Sequence, residues 1–195
     1  MQDDIFYHVH RLGEFDETWT KDATLQIDDT FEADFYNKLF TIDFLGMKLK
    51  EEDDIDYLIA RLDEYLQRQD IYTKHDHEIF NMLKCLYFIR REQALEEGRK
   101  IFASHAPSRL HSIFLSDSRD LSYWKSHVGA DSYRVFSLAV DGNIFMSSDD
   151  FFPSPFLLLD HQVEETKKYW RPKTLSKGLR KEYIFQGQVH IIGEE

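Results

Sequence analysis

The chain opens on IFYHVHRL (residues 5–12), where β-branched and aromatic residues dominate, and that run predicts a strand. ATLQID (23–28) predicts a second, shorter one. From there the apolar spacing widens from two to three and four. DDTFEADFYNKLF (28–40) begins with cap-type residues and puts Phe31, Phe35 and Leu39 on one helical face. EEDDIDYLIARLDEYLQRQD (51–70) does the same with Ile55, Leu58, Ile59, Leu62 and Leu66, and its leading acids suit a positive helix start. HDHEIFNMLKCLYFIRREQALEEGRKIFA (75–103) predicts a third, longer helix, with Pro107 just beyond its end.

The pattern then reverts to short periods. LHSIFLS (110–116) predicts a strand and DSRDLSYWKSH (117–127) a short helix. SYRVFSLAV (132–140) predicts a strand with Phe136, Leu138 and Val140 on one face. DGN (141–143) carries a turn signal, after which IFMSS (144–148) returns as a strand. SPFLLLDHQVEETKKYW (154–170) predicts a helix with Pro155 in its first turn. EYIFQGQVHII (182–192) closes the series as one bent strand or two, with Gly187 at the bend. A strand, a block of helices, then strands with helical inserts predict an α+β fold with a mixed or antiparallel sheet. One domain over residues 1–195 is expected, with a helical lobe at about 30–105. No glycine-rich loop follows a strand, which argues against a Rossmann or P-loop nucleotide site.

Composition adds limits. A chain of 195 residues with 42% hydrophobic and 15% aromatic content can bury a core without staples. A single cysteine, Cys85, excludes a disulfide framework and a multi-thiolate zinc site within one chain, and suits a reducing compartment. MQDDIFYHVH has acids where a signal peptide needs bases, and no apolar run reaches membrane-spanning length. The expectation is a cytoplasmic protein with no membrane partner. Net charge is −12, with 16 acids against 5 bases in residues 1–60 and 7 bases against 5 acids in 161–195. The overall field repels nucleic acid, although a polyanion could dock on the basic end. The acidic segment could equally serve solubility or meet a basic partner protein.

Three stretches could carry chemistry. In FYHVHR, strand alternation puts Phe6, His8 and His10 on one face and Tyr7, Val9 and Arg11 on the other. Two histidines on one face suit a polar ligand or, with further ligands, a metal, or equally a half-exposed edge strand of hydrogen-bonded histidines. His75, Asp76 and His77 have a metal-like look, but residues two apart do not share a helix face, and Asp76 reads as a cap; no metal is expected. In PSRLHSIFLSDSRDLSYWK, a strand bearing hydroxyls is followed by Tyr123 and Trp124, which makes a slot for a flat ring or simple packing through Ile113, Leu115 and Trp124. Glu182 precedes a strongly apolar strand, where an acid is exposed, functional, or paired with Lys181 or Arg180.

Together YHVHR, SIFLSDSRDLSYW and EYIFQGQVHII resemble, in order, the motifs of the ADP-ribosyltransferase family. A helical lobe between the first two is common there. Arg91 with Glu92, and Pro107, Ser108 and Arg109, make the chain look most similar to small bacterial, toxin-like members of phage-defence systems, some of which modify RNA. The resemblance implies an ADP-ribosyltransferase-like split sheet and NAD⁺ as substrate. It implies that His8, with His10 or Arg11 nearby, holds the adenosine ribose or the pyrophosphate, that Phe114, Tyr123 or Trp124 sandwiches the nicotinamide, and that Tyr7, Ser112 and Ser116 also belong to the cofactor-binding residues. Glu182 and His8 are the implied catalytic residues, Glu182 stabilising the oxocarbenium-like centre. Arg91, Ser108 and Arg109 could form an acceptor or phosphate site; a helix-to-strand salt-bridge network explains them as well. Arg180 stands where a second acid would favour arginine as acceptor, so RNA is favoured over protein. An antitoxin or other regulatory protein is an implied partner. The alternatives are an inactive member of the fold acting through protein interaction, and an NAD glycohydrolase.

Overall fold

A computed structural model describes residues 5–11, 16–31, 43–44, 47–48, 76–128, 133–154, 157–173 and 179–195. The helices expected over 28–40 and 51–70 lie almost wholly outside the described residues, as do His75, Pro155 and the side chains of Arg11, His77 and Cys85.

Seven strands and four α-helices are described. In chain order they are β1 (Phe6–Arg11), β2 (Thr24–Ile27), β3 (Asp43–Phe44), β4 (Met47–Lys48), α1 (Asp76–Phe102), β5 (Ile113–Leu115), α2 (Leu121–Val128), β6 (Tyr133–Ser147), α3 (Leu159–Glu165), α4 (Lys167–Trp170) and β7 (Glu182–Glu194). The main sheet runs β1-β6-β7-β2, with β5 beside the first half of β7, while β3 and β4 pair separately. Every described pairing is antiparallel. Tyr7 and Ser116 exchange backbone hydrogen bonds of 2.9 and 2.8 Å, so β5 is tied to β1 as well as to β7 and this end of the sheet curls back on itself. The fold is α+β, with an antiparallel sheet.

The expected turn at DGN is absent. β6 runs unbroken through residues 141–143, because Gly142 and Gly187 face each other across the β6–β7 ladder at φ of +156° and +143°. A Cβ on Gly142 would stand 2.4 Å from the Gln186 carbonyl oxygen, so the glycines serve close backbone approach rather than reversal. The expected 154–170 helix is instead two short pieces, α3 and α4, meeting at Thr166.

Strand alternation builds a core on each face of the sheet. Trp19, Phe136, Leu138, Phe185, Val189 and Ile191 lead the first; Leu95, Ala106, Tyr169, Trp170 and Ile184 lead the second, where the helices pack. α1 is anchored there by Trp170, whose indole N–H donates to the Leu95 carbonyl at 2.7 Å. At its C-terminus, Arg99 donates to the Ser104 and Ala106 carbonyls at 3.2 and 3.1 Å, which suits the negative end of the helix.

Candidate functional site

Glu182 is the first residue of β7 and turns toward the helical face, as its neighbour in the alternation, Ile184, does. It is 5% exposed, with Glu92 of α1 at 2% and Arg109 at 4%. Charges buried this deeply are costly unless paired. Arg109 supplies the pairing. Its Nε donates to Glu92 Oε2 at 2.8 Å, and one terminal N–H group donates to both the Tyr169 hydroxyl and Glu182 Oε2. The Tyr169 hydroxyl in turn donates to the same Glu182 oxygen. Arg91 closes the far end, reaching Glu92 Oε1 with two N–H groups at 3.0 and 2.7 Å.

Four elements deliver these groups: α1 (Arg91, Glu92), the turn before β5 (Arg109), α4 (Tyr169) and β7 (Glu182). Aromatic rings hold the guanidiniums. Arg109 lies 4.8 Å from the Phe114 ring and 5.0 Å from Phe152, and Arg91 lies 4.4 Å from Phe152. Burial works to raise the Glu92 carboxyl's pKa, but the charges of Arg109 and Arg91 outweigh it and leave the group below its ordinary value. Burial pushes the Tyr169 phenol well above its ordinary value, although Arg109 pulls the other way, so at neutral pH the phenol is a hydrogen-bond donor. Arg109 is raised well above its ordinary value; burial opposes this and Glu182 and Glu92 overcome it.

The aromatic helix lies against the approach to Glu182. Trp124 donates its indole N–H to the Lys181 carbonyl at 2.9 Å, and Asp120 accepts from the Lys181 amide at 2.9 Å. Tyr123 donates to Asp149 at 2.6 Å beneath the Arg180 guanidinium, 4.3 Å from its ring, and burial leads the causes that push its phenol up to about 12. Arg180 pairs with Asp150 at 2.6 Å. Ser108 caps the turn before β5, accepting from Leu110 N–H at 3.3 Å and donating to Glu96 at 3.1 Å, so its hydroxyl is engaged there. Ser112 is buried, and among the described residues its hydroxyl has no hydrogen-bond partner. Ser116 donates to the Asp117 carbonyl at 2.8 Å.

The first-strand histidines are on the other face. His8 stacks on Trp19 at 4.6 Å, His10 lies 4.8 Å from the same ring, and His8 pairs with Phe136 of the first core across β1–β6. His8 Nδ1 is 2.9 Å from the Phe114 carbonyl oxygen, which requires an N–H there and leaves Nε2 as the acceptor of the neutral ring. The fold therefore gathers Arg91, Arg109, Phe114, Tyr123 and Trp124 with or beside Glu182, and points His8 and His10 away from it. Tyr7 lies in the β1–β5 bridge. Tyr169 is the member that the sequence reading missed: it is a lone phenol in a helical segment, 13 residues before Glu182, with no local motif around it.

Burial, with a smaller push from the His10 charge, lowers His8 to about 4, although its bond to Phe114 opposes this. The folded value lies below the unfolded one, so its contribution to stability is complete above pH 6.5 and is lost as the pH falls from there through about 4, at most roughly 3 kcal/mol. His8→Gln is expected to flatten the fall in unfolding free energy between pH 7 and pH 4.5; free energies from urea melts that fall equally with pH in both proteins would contradict this.

Among the described residues no group of three or more His, Cys, Asp or Glu is placed to hold a metal, and no helix is long and apolar enough to cross a membrane. A family model described as "Protein of unknown function (DUF2441)" matches residues 6–195. No curated protein matches the chain.

Proposed function

The chain belongs to the DUF2441 family, and from its own residues we propose that it is an NAD-dependent ADP-ribosyltransferase with Glu182 as its catalytic carboxylate. One observation carries the reading. Glu182 is a buried carboxylate gripped through a single oxygen, Oε2, and among the described residues no hydrogen bond falls on Oε1. An acid at the start of an apolar strand, fixed by one oxygen, suits a hydroxyl of the nicotinamide ribose at the other. Tyr123 and Trp124, which contact Arg180 and the Lys181 carbonyl just before Glu182 in the chain, are flat rings of the kind that a nicotinamide stacks on.

In the proposed reaction the bond between ribose C1′ and the nicotinamide nitrogen breaks. Its electron pair leaves with nicotinamide, which departs neutral. A nucleophilic atom of the acceptor bonds to C1′ and loses its proton to Glu182 or to water. Glu182 stabilises the positive charge that develops on the ribose as the first bond lengthens. The acceptor is a cytoplasmic macromolecule, RNA before protein, and the enzyme acts as a toxin held by a regulatory partner. His8 and His10 take no part on the Glu182 face; His8 braces β1 against β5 through Phe114.

A second reading rests on the same burial. At 5% exposure, Glu182 serves equally as one half of a structural ion pair in a catalytically silent binding module. NAD⁺ labelled in its adenine half separates the two when incubated with total RNA or lysate. Label in a macromolecular fraction, removed by ribonuclease, supports the RNA-modifying transferase, and label removed by protease moves the acceptor to protein. Release of ADP-ribose alone points to a glycohydrolase, and NAD⁺ left intact supports the module.

A further inference from the structure

The buried ionic network is an odd way to hold a fold together. All around it the second core is apolar, built from Leu95, Ala106, Trp170, Ile184 and their neighbours. Ion pairs in such a place are weak contributors to stability, because desolvation offsets most of the attraction. What they do supply is direction. Arg109 and Tyr169 both aim at Oε2 of Glu182, from a turn and a helix that are 60 residues apart in the chain.

We propose that Arg109 and Tyr169 are positioning residues for Glu182, locking one carboxylate oxygen so that the other meets the substrate ribose hydroxyl in a fixed orientation. The proposal rests on the transferase reading. Arg109 is itself immobilised, by Glu92 on its Nε edge and by the Phe114 and Phe152 rings on its faces. Glu92 is held in turn by the fork of Arg91. The protonated Tyr169 phenol bridges Arg109 and Glu182, accepting from the first and donating to the second. Rotation of the Glu182 carboxylate therefore breaks bonds to two groups at once, each tied to a different element. A small misplacement of a reacting group costs about a hundredfold in rate.

Tyr169→Phe tests this, since it removes the bridging hydroxyl and keeps the ring against Phe145, Phe152 and Trp170. Nicotinamide release is followed against NAD⁺ concentration, with NAD⁺ binding measured by calorimetry and folding by thermal melting. The expected result is a fall in kcat of about a hundredfold, with KM and the NAD⁺ dissociation constant within twofold and the melting cooperative. Should Tyr169→Phe melt below the assay temperature, Glu92→Gln, which loosens Arg109 at its other edge, replaces it with the same expectation. An active wild-type protein whose folded Tyr169→Phe form keeps its kcat would overturn the positioning role and leave the transferase standing. A wild-type protein that releases no nicotinamide under any condition would overturn both.

Discussion

Arg109→Leu is expected to cost the protein about 3–5 kcal/mol of stability or to leave it unfolded, because the substitution takes a cationic partner from two buried carboxylates at once and strands one of them. Glu92 keeps Arg91, but Glu182 keeps only the Tyr169 hydroxyl. A domain of this size has about 5–15 kcal/mol in total, so a loss of that order is visible in any denaturation curve. The cause is chiefly the unpaired charge, since leucine still offers an apolar side chain to the Phe114 and Phe152 rings that Arg109 contacts. The double variant Arg109→Leu with Glu182→Leu removes the stranded charge together with its partner, and is expected to recover part of the loss. Urea melts of the three proteins decide it. A cost below about 1 kcal/mol for Arg109→Leu would place the pair in a solvated setting, contrary to the burial of both groups.

Gly98→Ala is expected to be nearly as damaging, although glycine to alanine within a helix ordinarily gains about 1 kcal/mol. The added Cβ would stand 1.7 Å from Thr166 Oγ1 and 2.8 Å from Thr166 Cβ. Thr166 cannot swing aside, because it is fully buried and its hydroxyl donates to the Val163 carbonyl at 2.6 Å. Helix α1 must then move off the α3–α4 junction, at a cost of about 3 kcal/mol before the propensity gain. The displacement also carries Glu92, six residues earlier on the same helix, away from Arg109. Thr166→Ala in the same chain removes the closest atom but not the Cβ, so it should restore only part of the melting temperature. A Gly98→Ala protein more stable than wild type would mean that helix propensity outweighs the contact.

Much of this architecture can be read from residue pattern alone, where local preference and tertiary demand agree. α1 is such a case: its apolar spacing, the basic Arg99 and Lys100 in its last turn and Pro107 beyond it all mark the same helix. So are β1, β2 and β7. DGN misleads because its glycine is used across a ladder, opposite Gly187, and nothing local distinguishes that use from a turn. The site divides in the same way. Arg91, Ser108 and Arg109 stand out as polar residues beside apolar runs, and a helix-to-strand salt-bridge network is one of the two explanations open to them; Arg91 and Arg109 do join one, through Glu92, while Glu182 pairs with Arg109 rather than with its neighbours Lys181 or Arg180. Tyr169 stays hidden, since its partner lies in another element and a buried phenol looks like any core aromatic. His8 and His10 share a face as alternation requires, but which face is core is decided by Trp19 and Phe136, which strand periodicity cannot show.

The most direct measurement is nicotinamide release from NAD⁺ by purified wild-type protein and by Glu182→Gln, each alone and with total cellular RNA or lysate. Melting of both proteins is recorded alongside, since the glutamine keeps the shape and gives up the charge facing Arg109. Release by the wild type that requires an acceptor, and falls about a hundredfold or more in a folded Glu182→Gln, is the predicted result. Equal release by both proteins would contradict Glu182 as the catalytic carboxylate, and no release with no NAD⁺ binding by the wild type under any condition would contradict the enzyme altogether and leave the buried carboxylate as part of a binding module's core.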